Sequence, residues 1–411
     1  NRYAFAALKA DGSISAWGNT SYGGSSAPTD SDYTQIYSTA TAFAAINIDS
    51  SITAWGDNAN GGNDAPTDSG YTQIYSTGKA FAAIKADGSI TAWGNSSYGG
   101  SNAPTDSGYT QIYSNYGAFT AIKADGSVTT WGSSSYGSNN APTDSAYTQI
   151  YSNYYAFAAM KADGSITAWG NSSNGGGGAP TDSGYTKMYS TSTAFAAMKA
   201  DGSITAWGNN STGGSNAPTD SGYTKIYSTS SAFAAMKADG SITAWGNSTN
   251  GGSGEPTDSA YSAIYSTDTA FAAIKADGSI TAWGDNSNGG SDEPTDSSYT
   301  QIYSTGKAFA AIKADGSITT WGNSTHGGSG APTDSGYSTI YSTELAFNAI
   351  KADGAVYVWG TYDGTTNIDN EPSTTTTGYS FIPGNYFSCD ATSYIAGSTS
   401  CTLDNSYAYL Y

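Results

Sequence analysis

Only two of the 411 residues are cysteine, one is histidine, four are methionine, and 11% carry a charge. Each scarcity excludes something. A single histidine, His326, leaves no Ser-His-Asp or Cys-His set to activate a nucleophile, and it sits in a loop where sister segments carry Tyr or Asn. The chain therefore reads as a non-enzyme, with no catalytic residues and no cofactor site. Fourteen Lys and Arg stand against 33 Asp and Glu, for a net charge of -19. Such a chain lacks the cationic clusters that displace counterions from phosphates, so nucleic acid is not an expected partner. The same balance disfavours adhesion to anionic lipid surfaces. No stretch of 18 apolar residues exists, so no membrane span is expected. The sequence opens at Asn1 with neither Met nor an apolar leader, which suggests that the numbering begins at a processed end.

The two cysteines, Cys389 and Cys401, lie 12 residues apart in a Ser/Thr/Gly-rich stretch. That spacing suits a local disulfide better than a metal site, which wants four ligands. Closing so short a loop contributes about 3 kcal/mol in the chain-entropy model. It also implies an oxidising, extracellular setting.

What the chain has in abundance is glycine (52), tyrosine (33) and aromatic rings generally, at 13%. Disordered chains are poor in aromatics, so a packed interior is expected. The rings are also periodic. Trp followed by Gly recurs at Trp17, Trp55, Trp93, Trp131, Trp169, Trp207, Trp245, Trp283, Trp321 and Trp359, always 38 residues apart, and a Phe keeps the same step from Phe5 to Phe347. The Trp and Phe set reads as repeat core rather than a sugar-stacking surface.

One unit, residues 71–108, shows the expected order. Tyr71 to Tyr75 is rich in β-formers, Ala80 to Lys85 follows a short turn, Asp87-Gly88 supplies a tight reversal, and Ser89 to Trp93 alternates with a period of two. The alanines favour helix in isolation, but six residues between turns are too few for one. The unit is thus a three-stranded antiparallel meander. It cannot cover its own faces, so copies must stack on one another. A parallel solenoid has no use for a hairpin inside each repeat; blades of a propeller do.

The expected fold is therefore all-β, a propeller of ten short three-stranded blades over residues 1–384. The chain opens at a second strand, and a strand near 379–382 is placed to complete the first blade and close the ring. The alternative is an open blade array. Residues 385–411 leave the pattern and read as a cap or docking tail.

The run F-A-A-I-K-A-D-G-S-I-T-A-W-G-N, ending in G-G and a Pro, resembles repeats of the RCC1-like propeller superfamily, in the short-repeat branch of β-lactamase inhibitory protein II type. The resemblance covers residues 1 to about 384 and implies three-stranded blades closed by Trp-Gly. It implies no one function, because this fold hosts exchange factors, inhibitors and surface proteins. Ten repeats replace the familiar seven, the long loops of an exchange factor are missing, and no inhibitory or exchange residue can be matched.

Other recurring groups have modest readings. Aspartates in the hairpins (Asp11, Asp87, Asp125, Asp163) and in the Pro-Thr-Asp loops (Asp30, Asp68, Asp106, Asp144) read as turn caps; Ca²⁺ held between blades is the sharper alternative, without a supporting D-x-D-x-D-G spacing. Lys9, Lys85, Lys123 and Lys161 place one positive charge per blade beside them and read as a screened rim. N-x-S/T recurs just after Trp-Gly, at Asn19, Asn95, Asn171, Asn209, Asn210, Asn247 and Asn323, on one expected surface loop, as glycosylation would need. Tyr22, Tyr98 and Tyr136 in these loops are candidates for contact.

Near-identical blades suit multivalent binding or assembly rather than catalysis. The expectation is an extracellular structural or adhesive glycoprotein, a subunit of a cell-surface filament, appendage or layer. Its partners would be copies of itself, other surface proteins or glycans. The alternative is a secreted multivalent binding module, lectin-like or inhibitor-like.

Overall fold

The computed structural model describes residue 1 and residues 3–361. The expected disulfide Cys389–Cys401, the ring-closing strand near 379–382 and the tail 385–411 lie outside the described residues. Within them the chain is all-β, with nine three-stranded antiparallel sheets and one two-stranded sheet, in ten successive blades. Two compact units contain them, one running Asn1–Ser183 and one beginning at Gly184. Blade 1 has only Ala4–Leu8 and Ile14–Gly18; blade 2 starts at Tyr33, blade 3 at Tyr71, blade 4 at Tyr109 and blade 5 at Tyr147. Blades 6 to 10 start at Tyr185, Tyr223, Tyr261, Tyr299 and Tyr337.

Blade 3 shows how the sequence builds one sheet. Its strands are Tyr71–Ser76, Ala80–Lys85 and Ile90–Gly94, in spatial order 1-2-3. The middle strand holds five buried residues in a row because both its faces are covered by neighbours, and alanine fits where sheets approach closely. The first strand departs from simple alternation. Tyr71 pairs with Lys85 and Gln73 with Ile84, so a bulge at Thr72 brings both Tyr71 and Ile74 to buried positions three residues apart. The extra residue is tied down by its hydroxyl, which donates to the Ile84 carbonyl at 3.1 Å. In the hairpin, Asp87 Oδ1 accepts from the Ser89 amide at 2.9 Å and from its hydroxyl at 2.7 Å, an Asx cap that holds the carboxyl below its ordinary pKa.

Neighbouring blades within each unit are sealed by one recurring contact set. Phe81 stacks on Trp93 with ring centroids 5.2 Å apart, and the Trp93 indole N–H donates across to the Gly61 carbonyl of blade 2's loop at 3.2 Å. Gly61 has φ 101°, and a Cβ there would stand 2.7 Å from the Phe81 ring. Only glycine permits both the left-handed backbone and that approach. The pattern repeats with a constant offset, from Trp55 on Gly23 to Trp359 on Gly327, at 3.1–3.2 Å. Each bond contributes about 1 kcal/mol. A second seam runs along the turns between first and second strands: the Ala40 amide donates to the Gly78 carbonyl, and the Gly78 amide to Tyr116's, at 3.1 and 2.9 Å.

The tyrosine that opens each blade ties the Pro-Thr-Asp loop to the sheet. Tyr71 Oη is 2.8 Å from Asp68 and 2.9 Å from Thr91 Oγ1, while the Lys85 ammonium pairs with Asp68 and lies 4.8 Å over the Tyr71 ring. Lys85 and Tyr71 together hold Asp68 below the usual carboxylate range. Burial pushes the Tyr71 and Tyr113 phenols up to about 12. Between the unfolded phenol value near 10 and that point the folded state holds more protons than the unfolded one, so stability falls as pH rises. Chemical-denaturation midpoints should be flat from about pH 8 to about 10 and drop from there to about 12. A midpoint that holds to pH 12 would show these phenols to be unburied.

The junction between blades 4 and 5 breaks the pattern. Every other loop of this kind in the described residues has two glycines after its short 3-10 turn, but this one has Gly137-Ser138. At the equivalent Gly100 a Cβ would overlap the Gly94 carbonyl. The Ser138 amide accordingly sits 3.2 Å from the Ser133 carbonyl, against 2.9 Å for Gly100 on Asn95. Two buried polar atoms at this junction find no partner, the Trp169 indole nitrogen and Thr120 Oγ1. Replacing Ser138 with Gly should let the Gly137 carbonyl meet the Trp169 indole and stabilise the protein by about 1 kcal/mol. Denaturant melts of the S138G variant check this; an unchanged or lower midpoint would show that Ser138 does not displace the loop.

Candidate functional site: a tyrosine cluster on blades 3 to 5

Above this irregular junction five tyrosines converge. Tyr98 and Tyr136 are the last residues of the 3-10 turns Ser96–Tyr98 and Ser134–Tyr136, each followed by a left-handed glycine. Tyr116, Tyr154 and Tyr155 lie in the turns that open the second strands of blades 4 and 5. Two seats hold the rings. A Cβ at Gly78 would be 2.6 Å from the Tyr116 ring, and one at Gly117 would be 2.5 Å from the Tyr136 ring. In these two blades, as at Asn1 of blade 1, Asn replaces the Thr that heads the turn in the others described. Asn115 Oδ1 accepts from the amides of Gly117 and Ala118 at 3.1 and 2.9 Å, while its Nδ2 donates to the Tyr136 carbonyl at 2.6 Å. One side chain thus ties the turn bearing Tyr116 to the turn bearing Tyr136.

The rings pack in offset and edge-on geometries. Tyr116 and Tyr154 are stacked at 4.5 Å and 17°, Tyr136 and Tyr155 at 5.3 Å and 9°, and Tyr154 meets Tyr155 edge-on at 4.7 Å. Tyr98 closes the group at 5.5 Å from Tyr116 and 6.2 Å from Tyr136, with the Lys79 ammonium 4.8 Å over its outer face. All five are half-buried: they shield one another and keep their rims in water. Burial, reinforced by the neighbouring phenol of Tyr116, pushes the Tyr154 pKa well above the ordinary phenol value, and burial does the same to Tyr136. Large amphipathic rings with few rotatable bonds are efficient contact surfaces, because little conformational entropy is lost on binding.

The same two turn positions in blades 6 to 10 carry Ser192-Thr193, Ser230-Ser231, Asp268-Thr269, Gly306-Lys307 and Glu344-Leu345. The aromatic patch is therefore local. Blade 1 carries a smaller pair, Tyr3 and Tyr22, at 4.8 Å.

The remaining expected site residues fall elsewhere. Asn19, Asn95, Asn171, Asn209, Asn247 and Asn323 each cap a 3-10 turn, the side-chain oxygen accepting from the amide two residues on. Asn210 is the exposed first residue of its turn. In two of these sequons the hydroxyl also donates to the asparagine oxygen, Ser211 to Asn209 and Thr325 to Asn323, both at 2.7 Å. His326 sits 3.2 Å from Asn323 Oδ1, its pKa lowered by burial and by Lys307. Among the described residues no three His, Cys, Asp or Glu side chains gather as a metal site. The rings of Trp55, Trp93, Trp131, Trp169, Trp207, Trp245, Trp283, Trp321 and Trp359 are buried, whereas Trp17 in the two-stranded blade is half-buried.

No family model and no curated protein matches this sequence. Solved structures do. The ectodomain of the Physcomitrella patens receptor kinase CR4 is similar at 17% identity and TM-score 0.38, over 59% of this chain and 70% of that one. The CRINKLY WD40 ectodomain of the Arabidopsis thaliana receptor kinase ACR4 matches at 16% and 0.35, over 64% and 99%. Prp20p from Saccharomyces cerevisiae matches at 14% and 0.36, over 81% and 84%. Three-stranded blades in a 38-residue repeat fit an RCC1-like propeller.

Tyr116, Tyr154 and Tyr155 are not singled out by sequence reasoning, which notes only the loop tyrosines Tyr22, Tyr98 and Tyr136. A signal was present: Asn-Tyr replaces Thr-x at one repeat position in two consecutive blades.

Proposed function

We propose that the chain is a non-enzymatic binding protein that acts outside the cell, in an adhesive or structural role, and engages its partner through the tyrosine cluster of blades 3 to 5. The cluster carries this reading. The blades otherwise repeat with little change, and the aromatic substitutions gather where two repeat rules fail, with the Trp169 indole and Thr120 hydroxyl left unpaired beneath them. Local departures from consistency tend to mark functional surfaces. The half-buried amphipathic rings suit another surface protein, a second copy of the chain or a glycan. The repeated Asn caps on exposed turns support a glycoprotein, and the net charge of -19 keeps phosphate-rich polymers away.

A retention assay on native cell surfaces tests it. Tyr154→Ala, which removes the ring that stacks on Tyr116 and meets Tyr136 and Tyr155 edge-on, is expected to weaken binding roughly thirtyfold, the scale of an aromatic hot spot. Retention equal to the unaltered protein would sink the assignment. A parallel glycan panel separates saccharide from protein partners.

A further inference from the structure

The stacked pair at the centre of the cluster is also placed for covalent chemistry. Tyr116 and Tyr154 are one repeat apart, on adjacent blades, with near-parallel rings at 4.5 Å. A phenol that loses one electron and its proton becomes a phenoxyl radical with spin on the ring carbons ortho to oxygen. Two such rings in contact couple through those carbons and rearomatise. We propose that Tyr116 and Tyr154 form an oxidative cross-linking site, joined by a carbon–carbon bond as dityrosine when a peroxide-driven one-electron oxidant reaches the cluster. The balance is two phenols plus one hydrogen peroxide giving one dityrosine and two waters. Each ring gives up one electron and a proton on oxidation. Coupling forms the ortho carbon–carbon bond, and the two ortho C–H protons shift to the phenolic oxygens as the rings rearomatise.

Geometry selects this pair. Tyr136 and Tyr155 are also parallel but farther apart, at 5.3 Å, and Tyr154 and Tyr155 meet edge-on, so their ortho carbons do not face each other. The half-buried rims of Tyr98, Tyr136 and Tyr155 give a solvent-borne oxidant a way in, since a radical formed on any of them can pass to a ring in contact. The bond would span the blade 4 to blade 5 junction, where the Trp169 indole has no partner, and staple the least well sealed junction of the first unit. This inference rests on ring geometry alone and stands whether or not the cluster is adhesive.

The experiment uses the full chain at micromolar concentration with hydrogen peroxide and a haem peroxidase, followed by proteolysis and mass spectrometry. The expected product is an intramolecular peptide pair joining residues 116 and 154, lighter by two hydrogens, with the blue emission of dityrosine. Because the rings are held together, it should exceed intermolecular pairs by roughly a hundredfold. Tyr154→Phe should abolish it, and Tyr116→Phe gives the same loss if the first variant misfolds. Dityrosine found only between molecules, or only at pairs that exclude residue 116 or 154 in the unaltered chain, overturns the proposal.

Discussion

Replacing Phe233 with Ala is expected to destabilise blade 7 by about 3–5 kcal/mol, the usual range for deleting a fully buried ring. Phe233 has no exposed surface; it stacks on Trp245 at 5.1 Å and lies beneath the glycine loop of blade 6, where a Cβ at Gly213 would be 2.6 Å away. Its neighbours include Ala194, Ala196 and Met198 of blade 6 and Trp245 of its own blade. The cavity would therefore open at a seam between two sheets rather than inside one. The Gly213 loop, Ala194 and Ala196 have no side chain long enough to fill the gap, so collapse into it is limited. The same substitution at Phe5, which is only half-buried in the two-stranded blade 1, should cost visibly less. Denaturant unfolding followed by tryptophan emission compares the two. Equal losses would mean that the inter-blade seams do not carry the stability assigned to them.

The second large effect is expected from a single methyl group. Gly240 ends the hairpin of blade 7 at φ 77°, and a Cβ there would overlap the amide nitrogen and carbonyl oxygen of Tyr261, the first residue of blade 8. The Tyr261 amide donates to the Gly240 carbonyl at 3.3 Å, so the two backbones are joined at that point. Gly240→Ala must bear both the left-handed conformation, about 1 kcal/mol, and displacement of a neighbouring strand, for a total of about 3 kcal/mol or more. Gly222 supplies the control. It has φ 89° but nothing within 4 Å of its added Cβ. Gly222→Ala should cost only the conformational part, about 1 kcal/mol. The difference between the two variants isolates the contact between blades, and matching losses would contradict it.

Much of this architecture was legible in the sequence. An unbroken 38-residue step, an Asp-Gly reversal inside each unit and six-residue alanine runs too short for helices lead directly to stacked antiparallel meanders, and these are the sheets observed. What escaped was set by geometry between units. The bulge at Thr72 is invisible because Tyr71 to Tyr75 satisfies a period of two well enough, and only the depth of the next blade makes both Tyr71 and Ile74 buried. The acceptor of these indole N–H groups, the carbonyl of Gly61 or its equivalents, could not be read from spacing alone, since the bond runs backwards to the preceding loop. The tyrosine cluster was half legible. Tyr98 and Tyr136 stand out as loop aromatics, but Tyr116, Tyr154 and Tyr155 join them only because turns of adjacent blades meet. Sameness between repeats reads as a lack of any asymmetric surface; the structure places one where the sameness lapses.

Amide hydrogen exchange, resolved by segment, tests the stacked-blade account most directly. The account predicts that the middle strands of blades 2 to 4 and 7 to 9, interior to their units, exchange slowest, while the Pro-Thr-Asp loops between them exchange first. Middle strands that exchanged as fast as those loops would contradict it, because strands enclosed on both faces by neighbouring sheets cannot open that freely.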